Sequence, residues 1–126
     1  MRKKGYYEYD PVIYPRKLWV HIGGDFKEVA EKCFEGIMLP DENDYGGLTY
    51  EKAVRKTDKK YGVLIFFPSK KSMSMGNIAH ESSHVVDAIE NATGIKHGDE
   101  PSAYLYGWVA SCINKARLGI GDFFDI

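Results

Sequence analysis

Tyr61-Gly62-Val63-Leu64-Ile65-Phe66-Phe67 is a continuous apolar run closed by Pro68, and thirteen residues after Phe67 the chain reads His80-Glu81-Ser82-Ser83-His84. A strand with one face in water alternates apolar and polar residues, so an uninterrupted run predicts a strand buried on both faces. Behind it, Ser72 or Ser74 can accept a hydrogen bond from the free N–H groups of a first helical turn. A helix is therefore predicted over about 75–92, stopped by Gly94. After a short polar loop, a last helix is predicted over about 101–117, before Gly119 and Gly121.

Working back toward the start, Lys17-Leu18-Trp19-Val20-His21-Ile22 is rich in β-branched and aromatic residues and stops at Gly23-Gly24, which predicts a second strand. Asp25 can cap a helix over about 26–35, in which Phe26, Val29, Ala30, Cys33, Phe34 and Ile37 recur at helical spacing. The tyrosine-rich opening contains Pro11 and Pro15 and reads as an extended lead-in. Residues 39–60 are polar and turn-prone, with Pro40, Asp44, Gly46 and Gly47, and only Tyr50 to Arg55 suggests a short helix or strand. The expected order is β-α-(irregular)-β-α-α. It corresponds to an α+β domain whose small mixed sheet contains residues 18–22 and 63–67. One face of that sheet is expected to carry both the helix near Phe26 and the helix bearing the histidines.

The bulk composition narrows the class. At 126 residues with 44% hydrophobic content, the chain suits a single domain over 1–126 with one core. The net charge of -1 comes from interspersed acids and bases, so no field of one sign exists to draw a nucleic acid or an anionic membrane. Met1-Arg2-Lys3-Lys4 opens without an apolar stretch behind it, and no later run reaches membrane-spanning length, so the expected location is cytoplasmic. Cys33 and Cys112 are too few and too far apart for a disulfide framework or a cysteine-based zinc site, and both are expected as buried free thiols. Oligomeric state is left open by these features.

The chemistry lies in the histidine motif. On a helix, residues four apart are rotated by only about 40° and separated by about 6 Å along the axis, so His80 and His84 can reach one metal ion. Zinc suits two imidazoles and a third protein ligand, with a water completing the set. Glu81 follows the first histidine directly; it can lean toward that water as a general base. The third ligand is less constrained. A metzincin site needs Gly and His three and six residues beyond the second histidine, where this chain has Asp87 and Glu90. Glu90 itself lies about 240° around the helix from His84, with no glycine before it to turn the chain back. His97, Asp99 and Glu100 remain as candidates.

The pattern His80-Glu81-x-x-His84 followed by Asp99-Glu100-Pro101-Ser102-Ala103-Tyr104-Leu105-x-Gly107-Trp108 resembles the gluzincin branch of zincin metallopeptidases, in particular the very short gluzincin-like proteins of phage and bacterial genomes. The resemblance spans roughly residues 61–117. It implies a minimal zincin-like fold, a zinc cofactor, a peptide or protein substrate, and a third ligand on the helix after the motif helix, which carries over onto Glu100. His97 and Asp99 are the alternatives. Glu100 reaches the metal only if residues 94–100 run extended back along the motif helix, a backbone that the residue before Pro101 favours. Asp87 is a candidate to orient a ligand histidine, and Tyr104 or Tyr106 to donate a hydrogen bond to an oxyanion.

The expected reaction is metal-assisted amide hydrolysis with Glu81 as the base. The alternatives are an inactive zinc-stabilised domain acting as a protein-interaction module, with Met1 to Tyr14 as a propeptide-like blocking segment, and a plain interaction domain with structural histidines.

Overall fold

The computed structural model describes residues 4–39 and 46–126. Along the chain the strands are β1 (Gly5–Tyr9), β2 (Lys17–Ile22), β3 (Phe34–Glu35), β4 (Leu48–Arg55), β5 (Tyr61–Phe67) and β6 (Asp122–Asp125). The helices are α1 (Phe26–Cys33), α2 (Met75–Thr93) and α3 (Glu100–Arg117), with one 3-10 turn at Lys70–Ser72. The strands form a single sheet in the order β3-β4-β5-β2-β1-β6. Only the central pair, β2 and β5, is parallel, in the register Leu18 to Val63 and Val20 to Ile65; the other pairs are antiparallel. The class is α+β.

The apolar run of β5 explains how the layers stack. Side chains alternate across a strand, and both faces of this one are apolar. Val63, Ile65 and Phe67 join Leu18 and Val20 of β2 in one core with Val85, Val86 and Ile89 of α2 and Leu105, Val109 and Ile113 of α3. Leu64, Phe66 and Trp19 project the other way, into a second core with Phe26, Val29 and Ala30 of α1. This corrects the expectation that α1 and the motif helix share a face. A strand buried on both sides needs cover on both, and α1 supplies the second.

Other boundaries differ for identifiable reasons. The tyrosine-rich opening is the strand β1, paired with β2 and β6, and Pro11 and Pro15 lie in the connection to β2. Three strands therefore separate its outer neighbour β6 from β4, and β1 does not cross the α2–β4 side as a blocking segment would. The helix expected to reach Glu35 stops at Cys33, because Phe34 and Glu35 pair with Arg55 and Val54 of β4. Residues 50–55 are strand, within β4, and the ladder with β5 shifts register between Tyr50 and Ala53. The expected turn residues Pro40 and Asp44 lie outside the described residues. β6 was not anticipated from sequence.

Cys112 is buried, which pushes its thiol pKa up to about 11. Cys33 is only half-buried, a correction that follows from its place at the last position of α1, where Phe34 rather than Cys33 turns into the core. Among the described residues, no helix is long and apolar enough to cross a membrane.

Candidate metal centre

The helix α2 carries the motif and is fixed at both ends. Ser74 accepts a hydrogen bond from the Asn77 N–H at 3.1 Å, the cap predicted for one of two serines. Gly94 closes the helix at φ 76°, and its N–H donates to the Glu90 carbonyl at 2.8 Å; a left-handed residue here satisfies one of the last carbonyls, and glycine adopts it without a Cβ clash. Ser82, Val85, Val86 and Ile89 are buried, and this apolar stripe sets which way the motif faces.

His80 and His84 are on the exposed side of the same helix. Their ring centres are 5.0 Å apart with the planes at 75°. Two imidazoles bound to one tetrahedral zinc through nitrogens at about 2.0–2.1 Å have ring centres roughly 5 Å apart, so the pair is spaced for a shared ion before any rearrangement. Glu81 points differently: it is only 5% exposed, unusual for a carboxylate, and lies between α2 and β4. Thr49 of β4 donates its hydroxyl to Glu81 Oε1 at 2.7 Å. The other oxygen, Oε2, is 4.0 Å from His80 Nε2.

The remaining candidates are distributed along α2, the loop and α3. Glu100 is the first residue of α3 and Asp99 its N-cap, and both are exposed. Lys96 Nζ lies 3.9 Å from Asp99 Oδ2. Tyr104 is 76% exposed, whereas Tyr106 crosses to α2 and donates its hydroxyl to the Ala79 carbonyl at 2.5 Å. Among the described residues, the group of three potential ligands whose donor atoms lie within 4.8 Å of one another is Asp87, Glu90 and His97. His80, His84 and Glu100 do not form such a group.

Glu90, set aside on angular grounds as a partner for His84, is the centre of a different arrangement. It is buried, and its Oε1 accepts from the Ser102 hydroxyl at 2.9 Å and lies 3.2 Å from His97 Nδ1. These contacts tie the end of α2 to the loop and to the first turn of α3. His97 is thereby held beside Glu90, about one and two-thirds turns along α2 from His84. Thr49 had no signal in the sequence, because its contact with Glu81 spans 32 residues and depends on β4 pairing beside β5.

Comparison with protein-family models, with curated proteins and with solved structures found no match to this chain. The functional reading therefore rests on the geometry. Two exposed imidazoles with ring centres 5.0 Å apart lie beside a buried carboxylate, and Glu100, His97 and Asp99 lie apart from them around the end of α2 and the start of α3.

Proposed function

We propose that this chain is a zinc-dependent peptidase of the His-Glu-x-x-His type, built on a minimal zincin-like domain and working in the cytoplasm on peptide or protein substrates. The observation that carries the reading is the relation of Glu81 to the histidines. His80 and His84 are set at zinc spacing on the open side of α2, and the buried carboxylate between them in sequence has one oxygen tethered and the other turned toward His80. A purely structural pair of surface histidines gives no reason for burying a carboxylate at the intervening position, where desolvation is costly.

In this reading His80, His84 and Glu100 hold the zinc, with His97 and Asp99 as alternatives to Glu100. When bound, zinc supplies an activated water and polarises the scissile carbonyl. Glu81 accepts the proton of the attacking water at Oε2 and passes it to the leaving amine. Residues 97–98 form a turn instead of the extended return expected for 94–100, and the Glu100 carboxylate is not assembled beside the histidines, so zinc binding by Glu100 would need that carboxylate to move. The substrate would lie extended along β4. Its ladder with β3 involves only Val54 and Arg55, and although Gly36 approaches the Lys52 carbonyl and Met38 accepts from the Tyr50 hydroxyl, among the described residues no strand pairs with the outer edge of residues 48–51, level with Glu81. An added peptide strand there is a standard use of an open sheet edge.

The separated third donor also favours a second reading, a zinc-stabilised interaction module without turnover. Metal content tests both against the plain interaction domain. Protein purified without chelator should hold about one zinc per chain, and His80→Ala and His84→Ala should each abolish tight binding. A full equivalent retained by the double variant would overturn the zinc reading.

A further inference from the structure

We infer that Thr49 is a positioning residue for Glu81, holding the carboxylate so that only Oε2 faces the histidines; this role rests on the peptidase reading above. A glutamate side chain has several rotatable bonds, and its terminal torsion is broad, so an untethered Glu81 would present either oxygen in many directions. Three features of the structure remove that freedom. The Thr49 hydroxyl fixes Oε1 at 2.7 Å, within the range of a hydroxyl donating to a carboxylate. Thr49 is β-branched and lies within a strand, so its own donor direction is restricted. The third feature is Gly47: a Cβ there would lie 3.0 Å from Glu81 Cγ, 3.2 Å from Oε2 and 3.1 Å from Phe67 Cε1. The backbone at this position thus lies close against the carboxylate, and a side chain here would crowd Glu81 unless its neighbours gave by a few tenths of an ångström.

The consequence is that the base and the substrate are referenced to one rigid element. Thr49 belongs to the part of β4 that no described strand pairs with on its outer edge, so a peptide added there would have a fixed height relative to Oε2. Thr49 is not required to touch the reacting atoms. Its loss should leave binding intact and lower the frequency with which Glu81 is correctly aimed, an effect of orientation that reaches about tenfold to a hundredfold for displacements near 1 Å.

The test compares wild type with Thr49→Val and Thr49→Ser, all zinc-loaded, on peptide substrates cleaved by wild type. Thr49→Val should lower kcat about tenfold or more at unchanged KM and unchanged zinc content, and Thr49→Ser, which keeps the hydroxyl, should recover most of the loss. In a Glu81→Gln background Thr49→Val should have no further effect on residual rate, because no base remains to aim. Independently of activity, melting temperatures of the metal-free proteins should show non-additivity between Thr49→Val and Glu81→Gln. Wild-type kcat in Thr49→Val, or a serine variant as slow as the valine variant, overturns the positioning role while leaving the peptidase reading in place. If zinc-loaded wild type cleaves nothing, the peptidase reading itself fails, and this role fails with it.

Discussion

The Tyr106 hydroxyl of α3 donates to the carbonyl of Ala79, the residue directly before His80 on α2, at 2.5 Å. Together with the Ser102 to Glu90 hydrogen bond, it joins the two helices at points eleven residues apart on α2. The motif helix is thus braced on both sides of His80 to His84 by the helix that begins with Glu100. Removing the Tyr106 hydroxyl should cost about 0.5–1.5 kcal/mol, the usual net worth of one such bond. Tyr106→Phe is therefore expected to lower the melting temperature modestly, with far less effect on zinc content than His84→Ala. Denaturant unfolding and metal analysis on the same preparations check both parts.

The third ligand is decided by a pair of variants. Glu100→Gln should weaken zinc affinity more than His97→Ala if the loop 94–99 shifts to bring Glu100 to the histidines. The reverse order would place His97 on the ion and would also release its contact with Glu90, which is 3.2 Å in this structure. Anomalous scattering from a zinc-loaded crystal identifies the ligand directly.

How much of this was legible beforehand follows from the range of each interaction. The seven apolar residues of β5 predicted a strand buried on both faces, and Ser74 and Gly94 bounded α2 within a residue, because caps and periodicity are written within one or two turns. The spacing of His80 and His84 was legible for the same reason. β3, β4 and β6 were not clear, since Phe34–Glu35, Leu48–Arg55 and Asp122–Asp125 become strands by pairing with distant partners rather than by local pattern. The placing of α1 opposite α2 is implicit in Val63 to Phe67 being apolar on both faces, since each face needs its own cover. The angle that takes Glu90 away from His84 turns it toward Ser102 and His97, partners that lie beyond the helix and have no local signal.

Cys112 gives a pH prediction. Burial raises its thiol pKa from 9.0 to about 11 in the folded protein. The folded state therefore holds this proton more tightly than the unfolded chain, so the linked stability is fully present below pH 9 and is lost as pH rises toward 11. Wild type should lose stability across that window, and Cys112→Ala should lose less, although it starts lower because a buried side chain has been shortened. Native protein at pH 8 should also react with an alkylating reagent at Cys33 well before Cys112: burial raises both thiols, but Cys112 is fully buried and raised to about 11, whereas Cys33 is half-exposed to the reagent. Equal alkylation rates would show that α3 does not stay packed on the sheet.

Glu81 separates an enzyme from a zinc-stabilised module. Glu81→Gln keeps the size of the side chain and an oxygen that can still accept from Thr49, so fold and zinc content should remain near wild type. It cannot take a proton from water, and peptidase activity should fall by the 10²–10⁴-fold associated with a lost general base. The measurement is hydrolysis of a mixed peptide library by both proteins, with zinc quantified in each. A form lacking residues 1–4 belongs beside them. β1 begins at Gly5 and pairs at the far side of the sheet from β4, so this truncation should leave activity unchanged. Stoichiometric zinc with no cleavage by any form would favour the interaction module. Undiminished cleavage by Glu81→Gln would mean that Oε2 is not the proton acceptor, and the relation between Thr49 and Glu81 would then be a feature of the fold alone.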